Sequence, residues 1–338
     1  MKLTFTHESD FRRERDFSTK INATFEFIGS QFRPLLKSLA YFVLPGALLS
    51  GIGMGLLFGN LTSMAPKAGS SEATPNMSTS AIISAVSGTG LFILGITAAV
   101  LLMISTVYGY VRVRLATPPD EEVQPAQVWV AVWSRLGRML LSWLVFAGIG
   151  IVIMGGIGAV SFGVISAAAS GNDFGAAFSV FGIFFLVALI FTWISTTLSL
   201  YFPILLIEDV SIGTALRRSF YLVQGKWWST FGLLMVSSMI QSFITYIFAI
   251  PMYGIIFAQA LKVPGLTSPV ISIITTSFYT IGLTFTYAIP LFAIMFQYFN
   301  LVERKEGTGL RQLVDSLGQT AAPEVSGTYY RPDEEGEY

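Results

Sequence analysis

MLLSWLVFAGIGIVIMGGIGAVSFGVISAAASGNDFGAAFSVFGIFFLVALIFTWISTTLSLYFPILLI, residues 139–207, holds a single charged side chain, Asp173. The uncharged run on each side of it is 34 residues long. A helix crossing the hydrocarbon core of a bilayer takes roughly 20 apolar residues. In lipid the backbone must satisfy its donors and acceptors internally, and a helix does so within one segment. The stretch reads as a transmembrane hairpin that turns at Asp173.

Four more runs lack Asp, Glu, Lys, Arg and His: 38–66, 73–111, 227–261 and 263–302. With the hairpin they make six spans and an all-α, polytopic membrane protein. Composition agrees: 12% of residues are charged and 53% hydrophobic, where a soluble domain carries about 25% charged residues. The expected division is a polar N-terminal arm with an amphipathic helix at 1–36, a six-helix transmembrane domain at 37–302, and a largely disordered acidic tail at 303–338. The polar opening, MKLTFTHESDFRRERDF, lacks the pattern of a secretory signal.

Charge is sided. Of 20 Lys and Arg residues, 18 lie in the arm, the second and fourth connections, and the tail. The positive-inside rule places those segments, and both termini, in the cytoplasm. The expected location is the cell inner membrane.

Three of the basic segments share one apolar spacing. Phe17, Ile21, Phe25, Ile28 and Phe32 step by +4, +4, +3, +4; so do Pro125, Trp129, Trp133, Leu136 and Leu140, and Ile212, Leu216, Phe220, Val223 and Trp227. Each set draws one stripe along an α-helix. The opposite faces carry Thr24 and Glu26; Gln127 and Arg135; Thr214, Arg217 and Gln224. Such a helix beside a span lies in the headgroup plane. The expected architecture is three parallel repeats of interfacial helix plus transmembrane hairpin, with interfacial helices in the arm and near 123–138 and 210–227. Asp209 or Ser211 is the expected cap of the third. Each repeat ends in aromatics suited to a wet interface: Tyr108 and Tyr110, Tyr201 and Phe202, Tyr298 and Phe299.

The chain has no cysteine and one histidine, His7. That excludes disulfides, thiolate sites, the usual zinc site and a histidine-centred triad. There is no P-loop, GxSxG or HExxH motif. No catalytic, cofactor-binding or metal residue is assigned, and no cofactor is expected. The spans carry no charge, which counts against an ion-coupled pump. Their polar side chains cluster in helices four to six, with Thr196, Ser237, Ser238, Gln241 and Thr280 as the candidate intramembrane set. Gln241 is the costliest of these to leave unpaired, so it is expected to face inward onto a partner.

Glycines at 51, 55 and 59, and at 148, 150, 155, 156, 158 and 163, suit close helix packing. Pro45, Pro203, Pro251 and Pro290 are expected to kink their helices. Asn60 and Asn76 open formal glycosylation sequons, and 308–317 has the pattern of a short helix.

The segment Thr214-Ala-Leu-Arg-Arg-Ser-Phe-Tyr-Leu-Val-Gln-Gly-Lys-Trp-Trp-Ser-Thr-Phe231, after Tyr201-Phe-Pro-Ile-Leu-Leu-Ile-Glu-Asp209, resembles six-span bacterial proteins related to the membrane domain of glycerophosphoryl diester phosphodiesterases. In the two-part relatives, catalysis belongs to a separate barrel with histidine and metal-binding carboxylates. The resemblance therefore implies a stand-alone membrane domain without the phosphodiesterase activity.

The expected function is that of a non-catalytic scaffold or accessory protein at the cytoplasmic leaflet. Arg33, Arg135, Arg138, Arg217, Arg218 and Lys226 are the candidate lipid-headgroup contacts, each worth on the order of 1 kcal/mol near an anionic surface. The alternative is a transporter or lipid-translocating facilitator with a polar cavity among helices four to six. The expected partners are membrane lipids, with a membrane-protein partner or a second copy of the chain left open. Nothing points to nucleic acid.

Overall fold

The structure is a computed structural model that describes residues 5, 8–64, 79–118, 120–168, 173–261, 263, 266 and 268–307. The Asn76 sequon and the 308–317 helix lie outside the described residues. In chain order the helices are α1 (Glu8–Phe11), α2 (Phe17–Ser30), α3 (Phe32–Phe42), α4 (Leu44–Met64), α5 (Thr79–Ala116), α6 (Pro125–Ala168), α7 (Asp173–Leu198) and α8 (Tyr201–Pro203). A π-helical turn (Ile204–Glu208) precedes α9 (Ile212–Val223), α10 (Trp227–Ala260), α11 (Pro269–Thr286) and α12 (Ala288–Glu306). Among the described residues there is no strand.

Five helical segments are long and apolar enough to span a bilayer, and α3 with α4 makes a sixth as a pair bent by 55°. The bend falls beside Pro45, which has no N–H to donate to the carbonyl four residues back.

α4 packs between α5 and α11, and glycine sets the approach. A Cβ added at Gly51 would stand 2.3 Å from the Ser277 Cα of α11, and one at Gly55 would stand 2.5 Å from the Ile273 Cα. Toward α5, Cβ atoms at Gly53 and Gly95 would meet backbone at 2.3 and 2.2 Å. This closeness lets α11 hydroxyls reach α4: Thr276 Oγ1 donates to Gly51 O at 2.8 Å, and Thr280 Oγ1 to Ala47 O at 3.0 Å.

The glycines of α6 behave otherwise. A Cβ at 148, 150, 155, 156, 158 or 163 would meet nothing within 4 Å among the described residues. Close packing accounts for the α4 glycines and not, within one described chain, for those of α6.

The three basic segments are built differently. α2 and α9 are separate short helices, capped by Asp16 and Ser211, whose side chains accept from Thr19 N and Thr214 N. The second segment is continuous with its span. α6 runs 44 residues, about 66 Å at 1.5 Å per residue, which exceeds the roughly 45 Å of a bilayer with its headgroups. Residues 125–138 are therefore the first turns of one long helix rather than a separate helix.

In all three segments the apolar stripe is turned only partly away from the protein: Val223 of the third is buried, and Ile28, Ile212 and Trp227 are half-buried against the core. Phe17, Phe25 and Phe32 of the first, Trp129, Trp133 and Leu140 of the second, and Leu216 and Phe220 of the third are exposed, Trp133 to 64%. The buried faces are Lys20, Ala23, Thr24 and Phe27; Val128, Val132 and Met139; Ala215, Ser219, Leu222 and Val223. Thr24, expected on a solvated face, lies within the protein.

The exit aromatics differ from expectation as well. Tyr108, Tyr110, Tyr201, Tyr298 and Phe299 are buried. Their hydroxyls bond inside the protein: Tyr108 to Leu291 O, Tyr110 to Gln31 Oε1, Tyr201 with Ser142 Oγ, Tyr298 to Glu208 Oε1. Phe5 and Phe11 of the arm and Phe27 of α2 close over this end against Phe296.

Candidate functional site

Arginines of α5 and α6 meet on one side chain, Asp209, just after the π-helical turn. The π-helical turn after Pro203 ends at Asp209, which takes a left-handed conformation (φ 61°, ψ 37°). Aspartate tolerates this region better than most residues. Asp209 Oδ2 accepts from Arg135 Nη2 at 2.6 Å and pairs with Arg112 Nη2 at 3.0 Å, while Oδ1 accepts from Arg138 Nη2. Arg135 and Arg138 lie three residues apart on α6 and so share a face. Arg112 comes from α5. Each also donates to backbone carbonyls: Arg112 to Leu206 and Ile207, Arg135 to Ala131, Arg138 to Val210. Hydrogen bonds, that from Arg135 foremost, hold the Asp209 carboxyl well below the usual carboxylate range.

The neighbouring Glu208 faces a different partner set. Its two oxygens take Arg218 Nε, at 2.6 and 2.8 Å, and Oε1 also accepts from the Tyr298 hydroxyl at 2.7 Å. Arg218 Nη2 continues to Glu306 Oε2 at 2.9 Å. Burial lowers the Arg218 pKa, but the bonds to Glu306 and Glu208 outweigh it and the net direction is upward. These pairs tie α9, the π-helical turn and the end of α12 together.

Two cations are buried beneath the arm. Arg15 donates through Nη1 to Phe11 O at 2.9 Å and through Nη2 to Asp10 O, while its backbone N–H meets Asn300 Oδ1 at 2.8 Å. Burial first, then the Arg13 charge, pushes its guanidinium down to about 10. Lys20 Nζ donates to Gln297 Oε1 at 2.7 Å, and Gln297 Nε2 donates to Thr230 Oγ1 at 2.9 Å. Burial, then the Arg304 charge, lowers the Lys20 ammonium to about 8.

The six residues picked as headgroup contacts thus divide. Arg135, Arg138 and Arg218 are bonded to carboxylates. Arg33, Arg217 and Lys226 are exposed. Arg112, Glu306 and Lys20 are members of these clusters that sequence reasoning missed, whereas Glu208 and Asp209 stand out in the sequence as adjacent carboxylates beside a helix start, without their arginine partners. The signal was available for some: Arg112 is the first charge after the run 73–111, and Glu208 and Asp209 are the first after 174–207.

The intramembrane set does not converge. Gln241 Nε2 donates to Thr245 Oγ1 at 3.0 Å and Thr286 Oγ1 at 3.3 Å, and those two hydroxyls bond each other at 2.7 Å. This cluster joins α10 to α11. Thr280 serves the α4 contact instead. Ser237 bonds Leu234 O in its own helix, Ser238 is half-buried one residue along, and Thr196 is buried near the end of α7.

A cleft of about 430 Å³ opens between α3 and the α5–α6 connection, lined by Pro34, Lys37, Glu121, Glu122, Gln124 and Gln127, among others. Among the described residues no three acidic or histidine side chains gather where a metal could sit.

Fold and composition define a polytopic, all-α membrane protein. The chain belongs to the family described as Domain of unknown function (DUF7847), which matches residues 42–293, from the end of α3 into α12. No curated protein and no solved structure matches the chain.

Proposed function

We propose that this protein is a non-catalytic scaffold or accessory protein of a bacterial inner membrane, with its termini and basic end in the cytoplasm and its basic rim on anionic headgroups. One observation carries the proposal. Large apolar side chains of α2 (Phe17, Phe25), of α9 (Leu216, Phe220) and of the first turns of α6 (Trp129, Trp133) point outward, although each helix packs on the bundle by another face. In water those rings would be a liability. At the bilayer boundary they embed in the acyl–headgroup zone. The cations beside them, Arg33, Arg217 and Lys226, then lie at the level of lipid phosphates, where each contributes on the order of 1 kcal/mol. The resemblance of residues 201–231 to the membrane domain of glycerophosphoryl diester phosphodiesterases fits a membrane-embedded module whose work lies at that surface. A transport role is less favoured, because Gln241, Thr245 and Thr286 bond one another.

The test is lipid retention. Protein purified in mild detergent should carry more phosphatidylglycerol than the bulk membrane does. A variant with Arg33→Glu, Arg217→Glu and Lys226→Glu should lose that excess while keeping its helical signal. Undiminished retention would refute the proposed headgroup contacts.

A further inference from the structure

We propose that Arg112, Arg135 and Arg138 form a binding site for a dianionic phosphate monoester, and that Asp209 holds the three guanidinium groups in place while that site is empty. This deepens the preceding proposal by naming a ligand class and a place.

Charge is the first ground. Three guanidinium groups converge on one carboxylate, so the cluster carries two positive charges in excess. The adjacent Glu208 shares the single charge of Arg218 with Glu306, so that group is one negative in excess and the whole set keeps one net positive charge. Glu306 lies beyond Arg218, on its Nη2.

The second ground is a shortage of acceptors. Each guanidinium has five N–H donors. Asp209 supplies two oxygens, shared among three arginines, and backbone carbonyls take part of the remainder. Arg135 Nε is buried and meets no acceptor among the described residues. A phosphate monoester brings three terminal oxygens and up to two negative charges, which suits planar forked donors.

Access is the third. The Arg112 and Arg138 side chains remain 34% and 35% exposed, so a ligand can reach them without opening the core. Position is the fourth. Arg112 directly follows one uncharged run, Arg138 directly precedes another, and Asp209 lies two residues past a third. The cluster therefore sits where three spans leave the hydrocarbon, at the depth of a lipid phosphate. A monoester headgroup, as in phosphatidic acid, presents its dianion there. A phosphodiester headgroup offers one charge and two free oxygens, and should bind less well.

The experiment titrates full-length protein in detergent with dioctanoyl phosphatidic acid, dioctanoyl phosphatidylglycerol and inorganic phosphate, read by calorimetry. Phosphatidic acid is expected to bind about tenfold more tightly than phosphatidylglycerol, one charge-assisted contact being worth that factor. Arg112→Gln and Arg138→Gln should each weaken it by about tenfold. Asp209→Asn removes the internal competitor and should tighten it several-fold, an outcome a purely structural ion-pair cluster does not produce. If a glutamine variant fails to fold, Asp209→Asn and the lipid comparison still decide. Inorganic phosphate matching phosphatidic acid would keep the chemistry and assign the ligand to the soluble phase. Equal affinity for the two lipids, or phosphatidic acid binding unmoved by all three substitutions, would overturn the site. The retention test above concerns monoanionic lipid at Arg33, Arg217 and Lys226, so either proposal can fail alone.

Discussion

Substituting alanine for glycine should have opposite signs in two helices of this protein. At Gly51 the new Cβ would lie 2.3 Å from the Ser277 Cα and 2.5 Å from Thr280 Oγ1. Carbon atoms in contact sit at about 3.5–4.0 Å, so α4 and α11 must separate by roughly 1.2–1.7 Å. That opens the Thr276–Gly51 and Thr280–Ala47 hydrogen bonds, now 2.8 and 3.0 Å, past bonding distance. Neither hydroxyl is orphaned, because Thr276 retains Ser272 O and Thr280 retains Ser277 O. The hydrogen-bond loss is then about 0.6 kcal/mol each. Forced overpacking adds about 1–3 kcal/mol, and better helix propensity returns at most about 1 kcal/mol. Gly51→Ala should cost about 1–3 kcal/mol. Gly150→Ala meets nothing within 4 Å and should be neutral or stabilising by up to about 1 kcal/mol. Unfolding by SDS in mixed micelles, followed by circular dichroism, measures both. Equal effects within about 0.5 kcal/mol would refute the close α4–α11 contact.

Asp209→Ala should destabilise by about 1–2 kcal/mol near pH 7, a figure held down by the partial exposure of the cluster. Because the folded carboxyl is held below its unfolded value of about 3.9, this stabilisation is full above about pH 5 and fades as pH falls toward the folded value. A gap between variant and wild type that stays constant from pH 7 to pH 3 would count against the ion-pair origin. Lys20 has the opposite dependence. Its folded pKa of about 8 lies below the ordinary 10.5, so the unfolded chain binds the proton more tightly and stability rises with pH between those values. Thermal unfolding midpoints should climb from pH 8 to pH 10 in the wild type and stay flat in Lys20→Met, and parallel profiles would contradict the buried ammonium. Gln241→Leu should cost less than about 1 kcal/mol, since Thr245 and Thr286 remain bonded to each other; a loss above about 3 kcal/mol in the same SDS assay would show a larger role.

The spans were legible because an uncharged, apolar run of 29 or more residues has few fates other than a membrane helix. The stripes of α2, α6 and α9 were legible for the same periodic reason, but their direction was not. Phe25 and Val128 are both apolar, yet one faces out and the other packs inward. Only the neighbours, α12 for one and α5 for the other, decide that. The tyrosines at the span ends were misplaced because an aromatic at that depth suits either a wet interface or a core with a partner for its hydroxyl. Tyr110 finds Gln31, 79 residues away, a pairing no local pattern encodes. The arginines were visible as a basic rim. Their division into bonded and exposed sets depends on Glu208 and Asp209 arriving at the same end by another span. Glycine is dense in both α4 and α6, and the presence of α11 and α5 beside α4 is what gives the α4 glycines a close-packing role.

If the exposed rings of α2, α6 and α9 face lipid, labels placed at them should meet lipid-soluble rather than water-soluble reagents. The chain has no cysteine, so Phe25→Cys, Trp133→Cys and Phe220→Cys can each carry one nitroxide label in reconstituted vesicles. Power-saturation electron paramagnetic resonance then compares collision with oxygen, which partitions into lipid, and with a nickel chelate, which stays in water. All three labels should favour oxygen at a shallow depth, just beneath the phosphates. Preferential collision with the nickel chelate at all three would place the stripes in water and contradict the account.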